Sequence, residues 1–189
     1  MPIQSLRQLA INPFQGHPLP SLSIPNLCLR LIKDDDLPDW YDYLRLPETR
    51  LNMSWDVKSP WDLQQFTQVQ DWSNPNAQLK LAICDTNTQK LIGTIGLHSI
   101  STQHMSGEVA YDLNPAYWGH GIMRVACASI THWAHDEIGF ERIQALVMDS
   151  NLASASVLQY CGFSLEGLLR RYRKVRGCFR DYYIYSHLH

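Results

Sequence analysis

The sequence predicts an α/β domain with a mixed central sheet of about seven strands and helices on both faces, in the order β-α-α-β-β-β-α-β-α-β-β. Three observations predict it. Short apolar runs that alternate with period two are interleaved with runs of helical spacing. The stretch from Glu108 to Met148 reads as strand, glycine turn, helix and strand, which makes one βαβ unit with a parallel pair. Two further strand pairs, Leu79 to Ile100 and Leu165 to Leu188, are joined by short polar or glycine-bearing turns and read as hairpins.

Residues 1–26 carry Pro2, Pro13, Pro18, Pro20 and Pro25, which forbid a continuous helix or central strand there. They read as a Pro-rich extension preceding the domain at residues 27–189. Its apolar residues Ile11, Phe14, Leu19 and Leu22 suit packing against the domain or a partner subunit, and equally a partly disordered tail. Leu27 to Ile32 alternates as a first strand. Asp34 to Asp36 supply a helix N-cap and acidic first turn, with Leu37, Trp40, Tyr41 and Leu44 at helical spacing before Pro47. A second helix is expected from Ser59 or Pro60, with Trp61, Phe66, Val69 and Trp72 as apolar members, ending at Ser73 to Asn76. The hairpin follows, Leu79 to Cys84 and Lys90 to Ile100, and Gly93 and Gly96 inside its second strand mark a bulge or close approach.

The fourth strand is Glu108 to Leu113. From Ile122, the positions Val125, Ala126, Ile130, Trp133 and Ala134 continue a helix that Gly139 closes. Arg142 to Met148 is the next strand. A helix from Ala153 to Cys161 ends at Gly162 with Phe163 beyond it, the pattern of a left-handed cap with an apolar follower. The last hairpin turns at Gly177.

With 189 residues, 45% hydrophobic and 18% charged, the chain suits one core-bearing domain. A formal net charge of -2 provides no basic field, so neither nucleic acid nor a membrane surface is an expected partner. The five cysteines are scattered without Cys-x-x-Cys spacing, which points to no disulfide framework, no zinc site and a reducing cytoplasm. No apolar run approaches the roughly 20 residues of a membrane helix, and the N-terminus lacks a signal-peptide core.

The most chemically informative stretch is Asn114 to Arg124. A strand that ends in Asn-Pro and restarts as a helix after Gly119-His120-Gly121 leaves backbone N–H groups without helical partners. Glycines allow φ > 0 and close approach of an anion, and the helix dipole adds positive charge at the same end. Alone, the tripeptide reads as an ordinary tight turn or as a phosphate cradle.

The sequence on either side resembles the Gcn5-related N-acetyltransferases, and within them the ribosomal-protein N-acetyltransferase branch. The matching residues run from Leu29-Arg30-Leu31 and Asp36, through Leu91 to Leu97 and Tyr117-Trp118-Gly119-His120-Gly121. They continue with Asn151-Leu152-Ala153-Ser154, Gly162-Phe163, Glu166-Gly167 and Asp181. The resemblance covers Leu27 to Leu188 and leaves out residues 1–26.

That resemblance implies transfer of an acetyl group from acetyl-CoA, as co-substrate and without a metal, to an amine by direct attack. It assigns the pyrophosphate to the turn at Trp118, Gly119, His120, Gly121, Ile122, Met123 and Arg124, chiefly through backbone amides. Met123 is unusual at its position, where the family favours Gly or Ala. A splay between the fourth and fifth strands would admit the pantetheine arm to the backbone of Asp112 and Leu113 and to the Asn151 side chain, which reads equally as a plain helix N-cap. An ammonium must lose a proton before attack. Glu108, at the start of the fourth strand, is the candidate base, a water relay or an exposed strand-end carboxylate being the alternatives. The leaving thiolate needs a hydrogen bond. Family members often carry Tyr where this chain has Leu158, and Ser154 is the substitute candidate, because Tyr160 lies about 200° around the helix. Met53 and Trp55 fall in the loop that covers the acceptor side.

The acceptor implied is a protein N-terminal α-amine or a small amine, and a homodimer is an open possibility. The alternative is a module that binds acetyl-CoA without transferring it, consistent with Leu158 and Met123. His132, His135 and Asp136 read as an exposed helical face rather than half a metal site. Cys127 and Cys161 read as small core residues, and Trp40, Tyr43, Trp55, Trp61 and Trp72 as mostly core.

Overall fold

The computed structural model describes residues 17–68, 72 and 77–189. Seven strands form one sheet: β1 (Leu27–Leu31), β2 (Leu79–Asp85), β3 (Leu91–Ser101), β4 (Ser106–Leu113), β5 (Arg142–Met148), β6 (Ser164–Val175) and β7 (Cys178–Leu188). Their order across the sheet is β1-β2-β3-β4-β5-β7-β6. The β4/β5 pair is parallel and the others are antiparallel. The helices are α1 (Leu37–Leu44), a single turn α2 (Pro47–Arg50), α3 (Ile122–Asp136) and α4 (Leu152–Tyr160).

Strand alternation sends side chains to two cores. On β2, Leu81 and Ile83 join α3 residues such as Ala126, Cys127 and Ile130 in the larger core. Ala82, between them, joins Leu37, Trp40, Tyr43 and Leu44 of α1 on the opposite face. The helix α3 buries Ile122, Met123, Ala126, Cys127, Ile130, Trp133 and Ala134, a stripe at three- and four-residue spacing. It ends as expected at Gly139, whose φ is +81°, with the Phe140 amide donating to the Ala134 carbonyl at 2.9 Å. Gly162 closes α4 in the same way, with φ +84° and a 3.0 Å bond from the Phe163 amide to Leu158.

The two strand glycines mark both features expected of them. Gly93 lies beside the register shift between Ile83 and Cys84. Gly96 lies so close to β2 that an added Cβ would stand 1.9 Å from the Leu79 carbonyl oxygen. Gly96→Ala is therefore expected to cost about 2 kcal/mol of stability through forced separation of β2 and β3, read from the urea midpoint. An unchanged midpoint would show that the strands part at no cost.

Several expectations are corrected. The second helix is a short 3-10 helix, Pro60–Phe66, and Val69 and residues 73–76 lie outside the described residues. Its Trp61 is 72% exposed rather than core, whereas Trp40, Tyr43 and Trp72 are buried. Asp36 does not cap α1 with its side chain. Its carboxylate instead accepts from Arg30 at 2.6 and 2.7 Å and from the Lys33 amide at 2.7 Å. His135 is buried, not exposed, bonded through Nδ1 to the Phe140 carbonyl at 2.5 Å and through Nε2 to His187 at 3.0 Å. Pro18 of the extension accepts from the Trp133 indole at 2.8 Å, and Leu19 and Leu22 pack on the larger core. Ile11 and Phe14 lie outside the described residues.

Candidate active site

The parallel pairing of β4 with β5 covers Ser106, Gly107 and Glu108 against Arg142, Ile143 and Gln144 among the described residues. Both strands run on beyond it, β4 to Leu113 and β5 to Met148. The far edge of β5 is held along its whole length by β7, so the gap opens between β4 and β5, leaving the β4 edge from Val109 onward without a ladder partner on that side. A cleft of about 510 Å³ occupies this region, lined by Glu108, Asp112, Asn151, Ser154, Met53 and Trp55 among others. The six come from β4, α4 and the loop before the 3-10 helix.

Glu108 is buried, with 5% exposure. Its Oε1 lies 3.4 Å from His98 Nε2 and 3.7 Å from Arg173 Nη2, and Oε2 accepts from Gln144 Nε2 at 3.4 Å. Burial pushes the Glu108 carboxyl above its ordinary pKa, with Arg173 and the Gln144 hydrogen bond opposing. His98 is pushed down to about 4 by burial and by Lys80 and Arg173. At neutral pH the His98 imidazole is therefore neutral. Alternation and register made this cluster: His98 faces Glu108, Thr94 faces Asp112, and Gly96 lies between them opposite Lys80. Sequence reasoning missed His98, Arg173, Lys80 and Gln144. For His98 the signal was the polar or small character of the alternate β3 positions Thr94, Gly96 and His98, which needed the register to become a site.

Asp112 is a hub. Its Oδ1 accepts from the Trp40 indole at 3.2 Å and from the Tyr43 hydroxyl, and Oδ2 accepts from Thr94 Oγ1 at 2.7 Å. Lys80 Nζ lies 3.9 Å from Oδ2. Asp112→Asn removes the charge that these buried donors face, and is expected to lower stability by about 2 kcal/mol. Denaturant titration checks this, and an unchanged midpoint would mean that the donors find other acceptors.

The loop over the cleft is anchored. Ser54 Oγ and the buried Tyr182 hydroxyl are 2.7 Å apart, and Arg176 Nη2 donates to the Arg50 and Met53 carbonyls at 2.6 and 3.2 Å. Trp55 rests against Phe66 with ring centroids 6.0 Å apart.

At the other end of the gap, Gly119 and Gly121 have φ of +79° and +74°, and nothing lies within 4 Å of a Cβ built on either. Among the described residues, the amides of Gly119, His120, Gly121, Ile122 and Met123 donate to no backbone carbonyl, while that of Arg124 donates to Gly121 at 3.1 Å. Five open amides at the start of a 15-residue helix suit an anion. Trp118 serves from within the turn, its indole donating to the Leu113 carbonyl at 2.8 Å, so that carbonyl is already occupied. Met123 is 7% exposed, and its bulk is absorbed by the core beneath the turn. His120 is exposed, and the Arg124 guanidinium lies 4.6 Å from the Tyr160 ring centroid.

On α4, Asn151 Oδ1 caps the helix by accepting from the Ser154 amide at 3.1 Å, which leaves its amide hydrogens available. The Ser154 carbonyl accepts from the Tyr111 hydroxyl at 3.1 Å, and Ser154 Oγ has no hydrogen bond among the described residues. Leu158 is fully buried and lines the cleft, whereas Tyr160 is 68% exposed and lies against Arg124. Cys127 is buried in the core and Cys161 partly so. No group of three or more metal-ligating side chains occurs among the described residues, and no helix among them is long and apolar enough to cross a membrane.

Several known proteins are similar to this chain in sequence or fold. The uncharacterized N-acetyltransferase YoaA of Bacillus subtilis (strain 168) is 34% identical over 100 residues, 53% of this chain. That match spans 56% of YoaA, so the chain aligns with little more than half of its length. The uncharacterized N-acetyltransferase p20 of Bacillus licheniformis is 29% identical over 170 residues, 88% of this chain and 94% of p20. Among solved structures, the ribosomal-protein-S5-alanine acetyltransferase from Vibrio fischeri superposes with a TM-score of 0.75 at 28% identity, over 89% of this chain and 96% of that one. The spermidine N-acetyltransferase from Vibrio cholerae in complex with CoA and spermine has a TM-score of 0.74 over 87% of this chain and 96% of its own, and at 20% identity shares the fold alone. The acetyltransferase (GNAT) domain description matches residues 26–164, and the chain belongs to that family.

Proposed function

We propose that this protein moves the acetyl group of acetyl-CoA to a primary amine, a protein N-terminal α-amine or a small amine, with Glu108 as the base. The observation that carries the reading is a buried carboxylate of raised pKa where β4 and β5 part, within a cleft continuous with the free edge of β4. The residues present fit the co-substrate. The five open amides of the glycine turn suit its pyrophosphate, and the unpaired β4 edge suits its pantetheine arm. Bound acetyl-CoA supplies a thioester that is open to attack by an amine.

Glu108 takes the proton from the incoming ammonium, directly or through one water, and returns it to solvent. Ser154 Oγ donates a hydrogen bond towards the departing sulfur. An α-amine, with a pKa of about 7.7 to 8.0 against about 10.4 for a lysine side chain, needs less help from the base. The likeness to ribosomal-protein-S5-alanine acetyltransferase supports an α-amine acceptor. Release of CoA above background hydrolysis across a panel of N-terminal peptides and small amines tests the reading. No release from any member of the panel, despite acetyl-CoA binding, would favour a binding module without transfer. Leu158, apolar at the position where family members often place a tyrosine, is the observation on that side.

A further inference from the structure

We propose that the acceptor amine carries an anionic group, and that Arg173 and Lys80 select it. The inference rests on the transferase reading of the same cleft and names its substrate class. Both cations line that cleft, Lys80 from β2 and Arg173 from β6. Neither has a hydrogen-bond acceptor among the described residues. The nearest carboxylate oxygen to Lys80 Nζ is Asp112 Oδ2 at 3.9 Å, and the nearest to Arg173 is Glu108 Oε1 at 3.7 Å, both beyond hydrogen-bond length.

Each is nevertheless held in place. Lys80 Nζ lies 5.5 Å from the Trp40 ring and 5.3 Å from the Phe66 ring, with its side chain 12% exposed. Burial lowers its pKa, and Asp112 opposes that shift. The Arg173 guanidinium lies 5.3 Å from the Tyr172 ring and 5.5 Å from that of Tyr182. A lysine offers three donors and an arginine five. The Lys80 donors, left unmade in a desolvated part of the cleft, are costly, and the Arg173 guanidinium, its side chain 38% exposed, is open to a ligand, so the cleft is complementary to one that brings acceptor oxygens.

The carboxylates argue the same way. Asp112 is occupied by Thr94, Trp40 and Tyr43, and Glu108, which accepts from Gln144, is taken by the reacting amine in the transferase reading. A second ammonium on the acceptor would find no free carboxylate and would meet Lys80 and Arg173, like charges that reject it. A carboxylate would meet a guanidinium fork able to bind it in bidentate fashion. The pyrophosphate does not account for these cations, because the open amides of its turn lie outside this cleft.

Two matched series test the proposal by calorimetry on the full chain loaded with CoA. One is γ-aminobutyrate, γ-aminobutyramide and putrescine; the other is the dipeptide amides Ala-Asp, Ala-Asn and Ala-Lys. The acidic member of at least one series is expected to bind about tenfold more tightly than its neutral and cationic counterparts, Arg173→Gln to erase that ratio, and Arg173→Glu to reverse it. Equal or tighter binding of the cationic members, no binding of any acid, or an Arg173→Gln effect equal on all three members would overturn it. Release of CoA from acetyl-CoA with the same compounds separates the two readings. Selective binding without release removes the transferase reading and leaves the selectivity standing. Release without the preference does the reverse.

Discussion

Glu108→Gln is expected to lower kcat/KM for the amine about 100-fold, the lower end of what a positioned base contributes, while acetyl-CoA binding holds. The substitution keeps the shape and the Gln144 contact but removes the lone pair that takes the ammonium proton. It also changes the pH profile, and the sign follows from the raised pKa. A base works when ionised, so wild-type kcat/KM falls as pH drops through the folded-state pKa of Glu108. Burial places that limb above the ordinary carboxylate range. In Glu108→Gln the limb disappears. His98 does not substitute, because its pKa of about 4 leaves it a weak base against burial and two nearby cations. Full turnover in the variant, with the acid limb intact, would move the base to another group or to a water chain that does not involve Glu108.

Gly121→Asp is expected to weaken acetyl-CoA binding about 100-fold from a micromolar wild-type affinity, roughly -8 kcal/mol. Gly121 is the N-cap of α3 with φ +74°, and a Cβ there meets nothing within 4 Å, so the fold has room for the side chain. Left-handed strain costs about 1 kcal/mol, and Asp is otherwise a favourable cap. The added carboxylate stands where the open amides face and repels a pyrophosphate. Calorimetric titration against wild type reads the loss, and circular dichroism checks that the variant is folded. If the folded variant binds normally, the pyrophosphate lies elsewhere and the glycine turn is only a turn.

The two predictions differ in how much of their basis was legible in the sequence. The glycine turn is local: two glycines, a preceding strand and a following helical stripe fix its shape through neighbouring residues. Its conformation could be read directly. Glu108 could be named as a strand-start carboxylate, but its burial and partners depend on strands far away in sequence. His98 and Glu108 meet through the β3/β4 register, Gln144 arrives through the short parallel pairing, and Arg173 comes from β6. The stretch Pro60–Phe66 misled for a related reason. The spacing of Trp61, Phe66, Val69 and Trp72 predicts a helix, yet in the 3-10 helix Leu63 enters the smaller core while Trp61 points to solvent. His135 was misjudged because nothing local announces the His187 ring that β7 brings against it.

The sequence by itself determined the strand order along the chain, the two hairpins and the parallel pair, the helix caps at Gly139 and Gly162 and the left-handed glycine turn, because each rests on local spacings and turn residues. The tertiary structure alone decided which polar side chains share the cleft and which carboxylates are already occupied. It also decided that, among the described residues, two ring-held cations there lack hydrogen-bond acceptors. Those properties arise from register and burial, which bring residues dozens of positions apart into one cleft and change what each can do.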